Sequence, residues 1–242
     1  MLVRHHSQGW KIISHYTHAL LAGKIGSCLS SSLRLSHWPE TLTAIINHDD
    51  KLSDFGASDY LTDAGSPLDF IMDDGDDNAL EHAKELHKTT LQKSQWIALL
   101  VSRHLEFLNE NSPEPEMKTF LKEMYDKRKE QRKLYGINLE QEDHLYSLIR
   151  FCDRLSLILC GEEVPAGGRE LEINTSINND TYYISSESDK RFKISPWVFE
   201  TDEFKIDFEY KILEQLKFSS NKELEESIAE ALPKLQKITL CK

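Results

Sequence analysis

The chain has 242 residues, of which 39% are hydrophobic and 29% charged, the composition of a folded globular protein rather than a disordered or fibrous one. Its formal net charge of −12 opposes a broad nucleic-acid-binding face, because neutralising phosphates requires clustered Lys and Arg. No run of about 18 apolar residues occurs, and the start of the chain carries no export pattern, so the expectation is a cytoplasmic protein with neither nucleic acid nor membrane as partner.

Leu2 to Arg4 and Trp10 to Ser14 flank a polar stretch ending in Gly9, which predicts a short N-terminal β-hairpin. From about Tyr16 to Cys160 the apolar pattern is helical, with Leu21, Ile25 and Leu29 in step, then Leu42, Ile45 and Ile46, then Ile97, Leu100, Val101 and Leu108. The stretch from Glu106 to Pro115 carries two prolines and predicts a break; Glu116 to Tyr135 reads as one long charged helix. Within it, the basic run from Lys127 to Lys133 reads as a solvated helix face rather than an anion-binding patch. Between Asp49 and Asn78 an Asp-, Gly- and Ser-rich segment keeps no apolar period and reads as a long loop covering or serving a site. Its carboxylates lack the alternation and distal Glu of an EF-hand, so a calcium loop is disfavoured.

After Gly161 the pattern becomes β-type. Glu170 to Ser176, Thr181 to Ser185 and Arg191 to Ser195 are short strand candidates, and Phe204 to Ile212 alternates apolar and charged over nine residues, as a half-buried strand does. Ser220 to Glu223 forms a capping box for a helix that places Leu224, Ile228 and Leu235 on one side, with Ile238 to Cys241 as a last strand. Cysteines 28, 152, 160 and 241 form no CxxC pair, and Cys152 and Cys160 fall in an apolar helical pattern, which fits buried reduced thiols. The expected fold class is mainly α, with a smaller C-terminal β or α+β appendage and a short N-terminal hairpin. Residues 1–160 form the helical domain with its hairpin, and residues 161–242 a β-rich region packed on it.

The feature richest in chemistry is the doublet His48-Asp49, expected on a helix between His18 upstream and Asp153 downstream. At helical spacing His18 shares a face with Ala22 and Ile25, His48 with Ala44 and Ile45, His104 with Leu100, Val101 and Leu108, and Asp153 with Ile149 and Leu157. A carboxylate on such a face requires a partner, since burying it alone costs several kcal/mol. A metal ion is one such partner. A core histidine bonded to backbone and a salt bridge of Asp153 are others, and spacing does not choose among them.

Four segments carry a resemblance that bears on this choice: His18-Ala19-Leu20-Leu21-Ala22-Gly23, Asn47-His48-Asp49-Asp50, Ala98 to His104, and Phe151 to Leu157. In that order, and with the later Ser195-Pro196-Trp197-Val198-Phe199, they resemble the motifs of a bacterial family of unknown function, domain-of-unknown-function family 3891, within the HD-domain superfamily of metal-dependent phosphohydrolases. The resemblance implies an HD-like helical core and a divalent metal cofactor, one or two ions of Fe, Mn, Co, Ni, Zn or Mg. His18, His48, Asp49 and Asp153 are the implied ligands. His104 is the implied second-metal ligand or general acid, with His82 and His87 as weaker candidates. Lys51-Leu52 stands where that family tends to have Gly-Trp, a departure beside the doublet.

The expected function is hydrolysis of a phosphate ester or nucleotide at a divalent metal, with Asp49 and His104 catalytic and Lys51, Arg103 and Arg154 neutralising the substrate phosphate. A non-catalytic nucleotide- or metal-binding regulatory module is the alternative, and a di-iron oxygenase a third. The expected partner is a small phosphorylated molecule or nucleotide. Exposed strand edges leave homodimerisation open.

Overall fold

Strands β1 (Leu2–His6) and β2 (Gly9–Ile13) form the expected hairpin, with Leu2 opposite Ile13 and His6 opposite Gly9. Gly9 sits at φ 133°, and a Cβ there would lie 1.9 Å from the carbonyl oxygen of Leu213, so only glycine fits this approach. The computed structural model describes residues 1–50, 60–72 and 78–242.

Six helices follow. The first, α1 (His15–Cys28), starts where the Ser14 hydroxyl accepts from the Thr17 amide at 3.1 Å. Next, α2 (Trp38–Ile46) carries Pro39 in its first turn, where the missing N–H is harmless. Ser94 ends α3 (Ala79–Lys93) and caps α4 (Gln95–Asn109) through its side chain. The expected break falls just before α5 (Pro115–Tyr135), which opens on Pro115 and closes at Gly136 with φ 64°. A capping box of Asn138 and Gln141 starts α6 (Leu139–Cys160). Leu145, Leu148, Ile149, Cys152, Leu155 and Ile158 are fully buried at helical spacing, and α6 packs against α1, α2 and α4.

The remaining elements are β3 (Leu171–Thr175), β4 (Thr181–Ser188), β5 (Arg191–Ser195), β6 (Glu203–Leu213), α7 (Asn221–Glu230) and β7 (Lys234–Cys241). All seven strands join one sheet in the order β1-β2-β6-β7-β5-β4-β3, antiparallel except for the parallel β5 and β7. Trp10 of the hairpin pairs with Leu213 and Ile12 with Lys211. Along β6 the alternation holds, with Ile206 and Phe208 buried. Leu235 departs from expectation: it lies on β7 opposite Glu209, not on the α7 face.

The fold class therefore requires correction. Half of the residues are helical and 22% lie in strands, and the sheet is a mixed, curled, seven-stranded one, so the protein is not mainly α with a small appendage and is not an HD-like helical fold. The N-terminal hairpin belongs to the same sheet as the C-terminal strands. Its pairing partner lies about 200 residues away, and such long-range pairing leaves no trace in local periodicity. One hydrophobic core spans both layers, joining Ile25, Ile45, Leu100 and Phe151 of the helices to Ile184, Ile194, Phe208 and Leu240 of the strands.

The basic run on α5 also departs from a simply solvated face. Arg128 is 1% exposed and donates to Glu106 on α4 at 2.6 Å, with Glu142 of α6 at 3.0 Å. Arg132, one turn on, also binds Glu142, while Lys129 pairs with Asp126 at the surface. Among the described residues no helix is long and apolar enough to cross a membrane.

Gly9→Ala is expected to destabilise the protein by about 2–4 kcal/mol, because both its backbone angle and its contact with β6 exclude a side chain. Urea denaturation measures this, and a loss below about 0.5 kcal/mol would show that the hairpin is not held against β6 as described.

Candidate metal centre

His18 lies one turn into α1, facing the buried side with Ala22 and Ile25. The doublet does not sit on a helix: α2 ends at Ile46 with Asn47 as its cap, and His48 and Asp49 occupy the turn that follows. Lys93, at the end of α3, holds this turn by donating to Asn47 Oδ1 at 2.6 Å and Asp50 Oδ2 at 3.3 Å. Asp153 projects from the middle of α6.

These four side chains converge, each offering one ligand atom within 4.8 Å of all the others. Nε2 of His18 and Nε2 of His48 both lie 3.2 Å from Asp49 Oδ2, and His48 Nε2 lies 3.1 Å from Asp153 Oδ1. Both histidines are completely buried, whereas the side chains of Asp49 and Asp153 keep 16% and 18% exposure, so the carboxylates form the open side of the cluster.

The partners on the far side of each ring fix its tautomer. His48 Nδ1 lies 2.6 Å from the Ile45 carbonyl oxygen, which can only accept, so Nδ1 carries the hydrogen. The Ser156 hydroxyl donates to the Asp153 carbonyl at 2.8 Å and therefore accepts from His18 Nδ1 at 3.0 Å. Each ring, when neutral, thus turns an Nε2 lone pair toward carboxylate oxygens. Lone pairs at such distances repel unless a cation or a proton lies between them.

The electrostatics of the cluster agree. Burial opposes a charge on His48, but the Asp49 and Asp153 carboxylates outweigh burial and hold its pKa well above the ordinary value. Burial likewise raises the two carboxylates, yet His48 first, joined at Asp49 by His104 and His18, brings both below their ordinary range. The cluster is built to hold positive charge, and its imidazole and carboxylate donors suit a divalent transition metal. It could hold a metal ion.

His104, 1% exposed on α4, stands beside the four. Its Nε2 is 3.4 Å from Asp49 Oδ1, the oxygen turned away from His18, and its Nδ1 is 3.4 Å from the Tyr146 hydroxyl. Its ring lies 4.9 Å from that of His48. Of the weaker candidates, His82 lines a cavity beside His48 and Asp49, and His87 turns toward Phe120 of α5, outside the cluster.

Of the expected phosphate-binding residues, the two that are described are paired with carboxylates. Arg103 donates to Glu106 at 2.9 Å, lies 3.7 Å from Asp143 and stacks over Tyr146, while Arg154 is paired with Glu163 at 3.0 Å. Lys51 lies outside the described residues. Two residues that sequence reasoning passed over belong to the site, Ser156 behind His18 and Tyr146 behind His104. Both share a face of α6 with Asp153, three residues after it and seven before it, and that spacing was the available signal.

The family model described as protein of unknown function, DUF3891, matches residues 1–215. The chain belongs to that family. The match takes in all five residues of the centre and every strand except β7. Neither the curated proteins nor the solved structures hold a match to the chain.

His87 differs from the clustered histidines in having, among the described residues, no hydrogen-bond partner at either ring nitrogen, and burial, with Lys127 and Arg128 nearby, pushes its pKa down to about 4. The unfolded chain, with a histidine pKa of about 6.5, binds the proton more readily, so this site's contribution is complete above pH 6.5 and is lost as pH falls toward 4. His87→Leu is expected to remove about 2–3 kcal/mol of that acid-side loss and to raise stability at pH 7. Urea midpoints measured from pH 7 to 4 check this, and equal acid-side slopes for the variant and the wild type would reject it.

Proposed function

We propose that the protein is a metal-dependent hydrolase of phosphate esters, with His18, His48, Asp49 and Asp153 as the ligands of a divalent cation. The observation that carries the reading is the pair of Nε2 lone pairs aimed at two carboxylates, with both Nδ1 atoms held from behind by Ile45 and Ser156. The order His18, His48-Asp49, Asp153 is similar to the ligand order of HD-superfamily phosphohydrolases, and that similarity suggests the hydrolytic reading.

When bound, a divalent cation supplies Lewis-acid polarisation of a phosphoryl oxygen and acidifies water toward neutral pH. The chain's own residues do the rest. Asp49 and Asp153, on the open side, face the incoming ester and position the attacking water by hydrogen bonding. His104 fixes the second oxygen of Asp49 and is placed as a further ligand, and Tyr146 holds His104 in turn. The pairing of Arg103 and Arg154 with carboxylates favours, as a second reading, a module that binds metal without turnover.

Elemental analysis of the purified protein is expected to find at least one transition metal per chain, lost in Asp49→Ala, together with turnover of a phosphomonoester or phosphodiester that falls at least about a hundredfold in Asp153→Ala. Absence of metal even after reconstitution would reject the proposal; bound metal without turnover of any ester would select the binding module. Ser156→Ala is expected to weaken metal affinity about tenfold or more by freeing the His18 ring, read by competition with a chromophoric chelator. Unaltered affinity would remove Ser156 from that role.

A further inference from the structure

A cavity of about 150 Å³ opens beside the cluster between α3 and α4, with His48 and Asp49 at its inner end. Ala83 and Leu86 of α3 and Leu105 and Leu108 of α4 form its walls. An apolar cavity of this volume accommodates a benzene-sized group. Among the described residues that line it there is no Lys or Arg. Of the cations around the cluster, Lys93 pairs with Asn47 and with Asp50 of the lining, Arg103 with Glu106 and Arg154 with Glu163, and Lys51 lies outside the described residues.

We infer that this cavity is the substrate's binding site, and that the substrate is a phosphate ester of a small apolar alcohol, aliphatic or aromatic and up to about the size of a phenyl ring. The inference rests on the hydrolase reading given above and names the substrate class for it. Three features carry it. Ala79, Ala83, Leu86, Leu105 and Leu108 supply apolar contact, with His82 and Asn109 the polar side chains among them, so an alkyl or aryl group gains by entering. The volume encloses a phenyl ring and only part of a nucleoside. Asp50 of the lining is paired with Lys93 at 3.3 Å, so the negative charge that disfavours a second phosphate or another anionic group on the substrate comes from Asp49 at the inner end. A single phosphoryl group at the cluster and an apolar substituent against Ala83 and Leu105 satisfy all three.

The test uses the full-length protein loaded with Co²⁺, whose visible absorption reports on ligands at the cluster, titrated in turn with phenyl phosphate, inorganic phosphate and adenosine monophosphate. Phenyl phosphate is expected to bind at least about tenfold more tightly than either of the others, the gain from burying about two methylene groups. Leu108, 54% exposed at the rim, can be changed without disturbing the core, and Leu108→Arg is expected to narrow the preference by favouring the more anionic ligands. Adenosine monophosphate or inorganic phosphate binding as tightly as phenyl phosphate would overturn this inference while leaving the hydrolase reading in place. No Co²⁺ signal, or a signal unmoved by all three ligands, would instead overturn the hydrolase reading and this inference with it.

Discussion

The constraint on which the rest of the structure depends is that two imidazole nitrogens, each with its other nitrogen already committed, face two carboxylates across about 3 Å. Such an arrangement is unfavourable unless positive charge enters it, and the surrounding residues prevent the rings from turning away. His48 cannot rotate without losing the Ile45 carbonyl, nor His18 without losing Ser156, which is itself tied to the backbone of Asp153. The helix α6 is central for the same reason. Its buried apolar residues pack α1, α2 and α4 around it, and Tyr146, Asp153 and Ser156 follow one another along its inner face. Core packing and ligand placement are therefore one design, and a shift of α6 would move a ligand and the support of another ligand together.

The sheet belongs to this arrangement rather than standing apart from it. Ser14 follows β2 directly and caps α1, so the pairing of β2 with β6 fixes where α1 begins, and His18 lies one turn later. Farther along α1, Lys24 donates to the carbonyl and the carboxylate of Asp207 on β6 at 2.7 and 2.6 Å. The helix that carries His18 is thus anchored to the sheet at two points. On the far side of the helical layer, Arg128 ties α5 to both α4 and α6 through Glu106 and Glu142. Leaving either carboxylate unpaired beside so buried a guanidinium would be costly, which suits a role in fixing the register of those three helices.

What could be read from the sequence follows the range of each interaction. Helical spacing is local, so the inward faces of His18, His104 and Asp153 were legible, as were the hairpin at Gly9 and the alternation of β6. The order of motifs around His48-Asp49 gave the four members of the cluster. The join between the chain's two ends was not legible, because a hairpin and a distant strand carry the same alternation whether or not they pair with each other. The doublet was misplaced onto a helix because Ile45 and Ile46 continue an apolar pattern that stops at Asn47. The arginines of α5 and the paired state of Arg103 depended on partners one or two helices away, and composition alone reads such residues as free surface charge.

These paired cations bear on how the centre would work. A protein of net charge −12 whose cavity is bordered by Asp49, with Asp50 paired to Lys93, disfavours anions by default. Without Lys or Arg among the described residues lining that cavity, attraction for a phosphate must come from whatever positive charge the cluster itself holds. Metal occupancy and anion affinity are then thermodynamically linked, and each must strengthen the other by the same factor. The protein would thereby take up its substrate only when loaded for reaction. On the proposed reading, the cluster would supply the electrostatic attraction, and the walls from Ala83 to Leu108 would choose among esters by the shape and hydrophobicity of the group they carry.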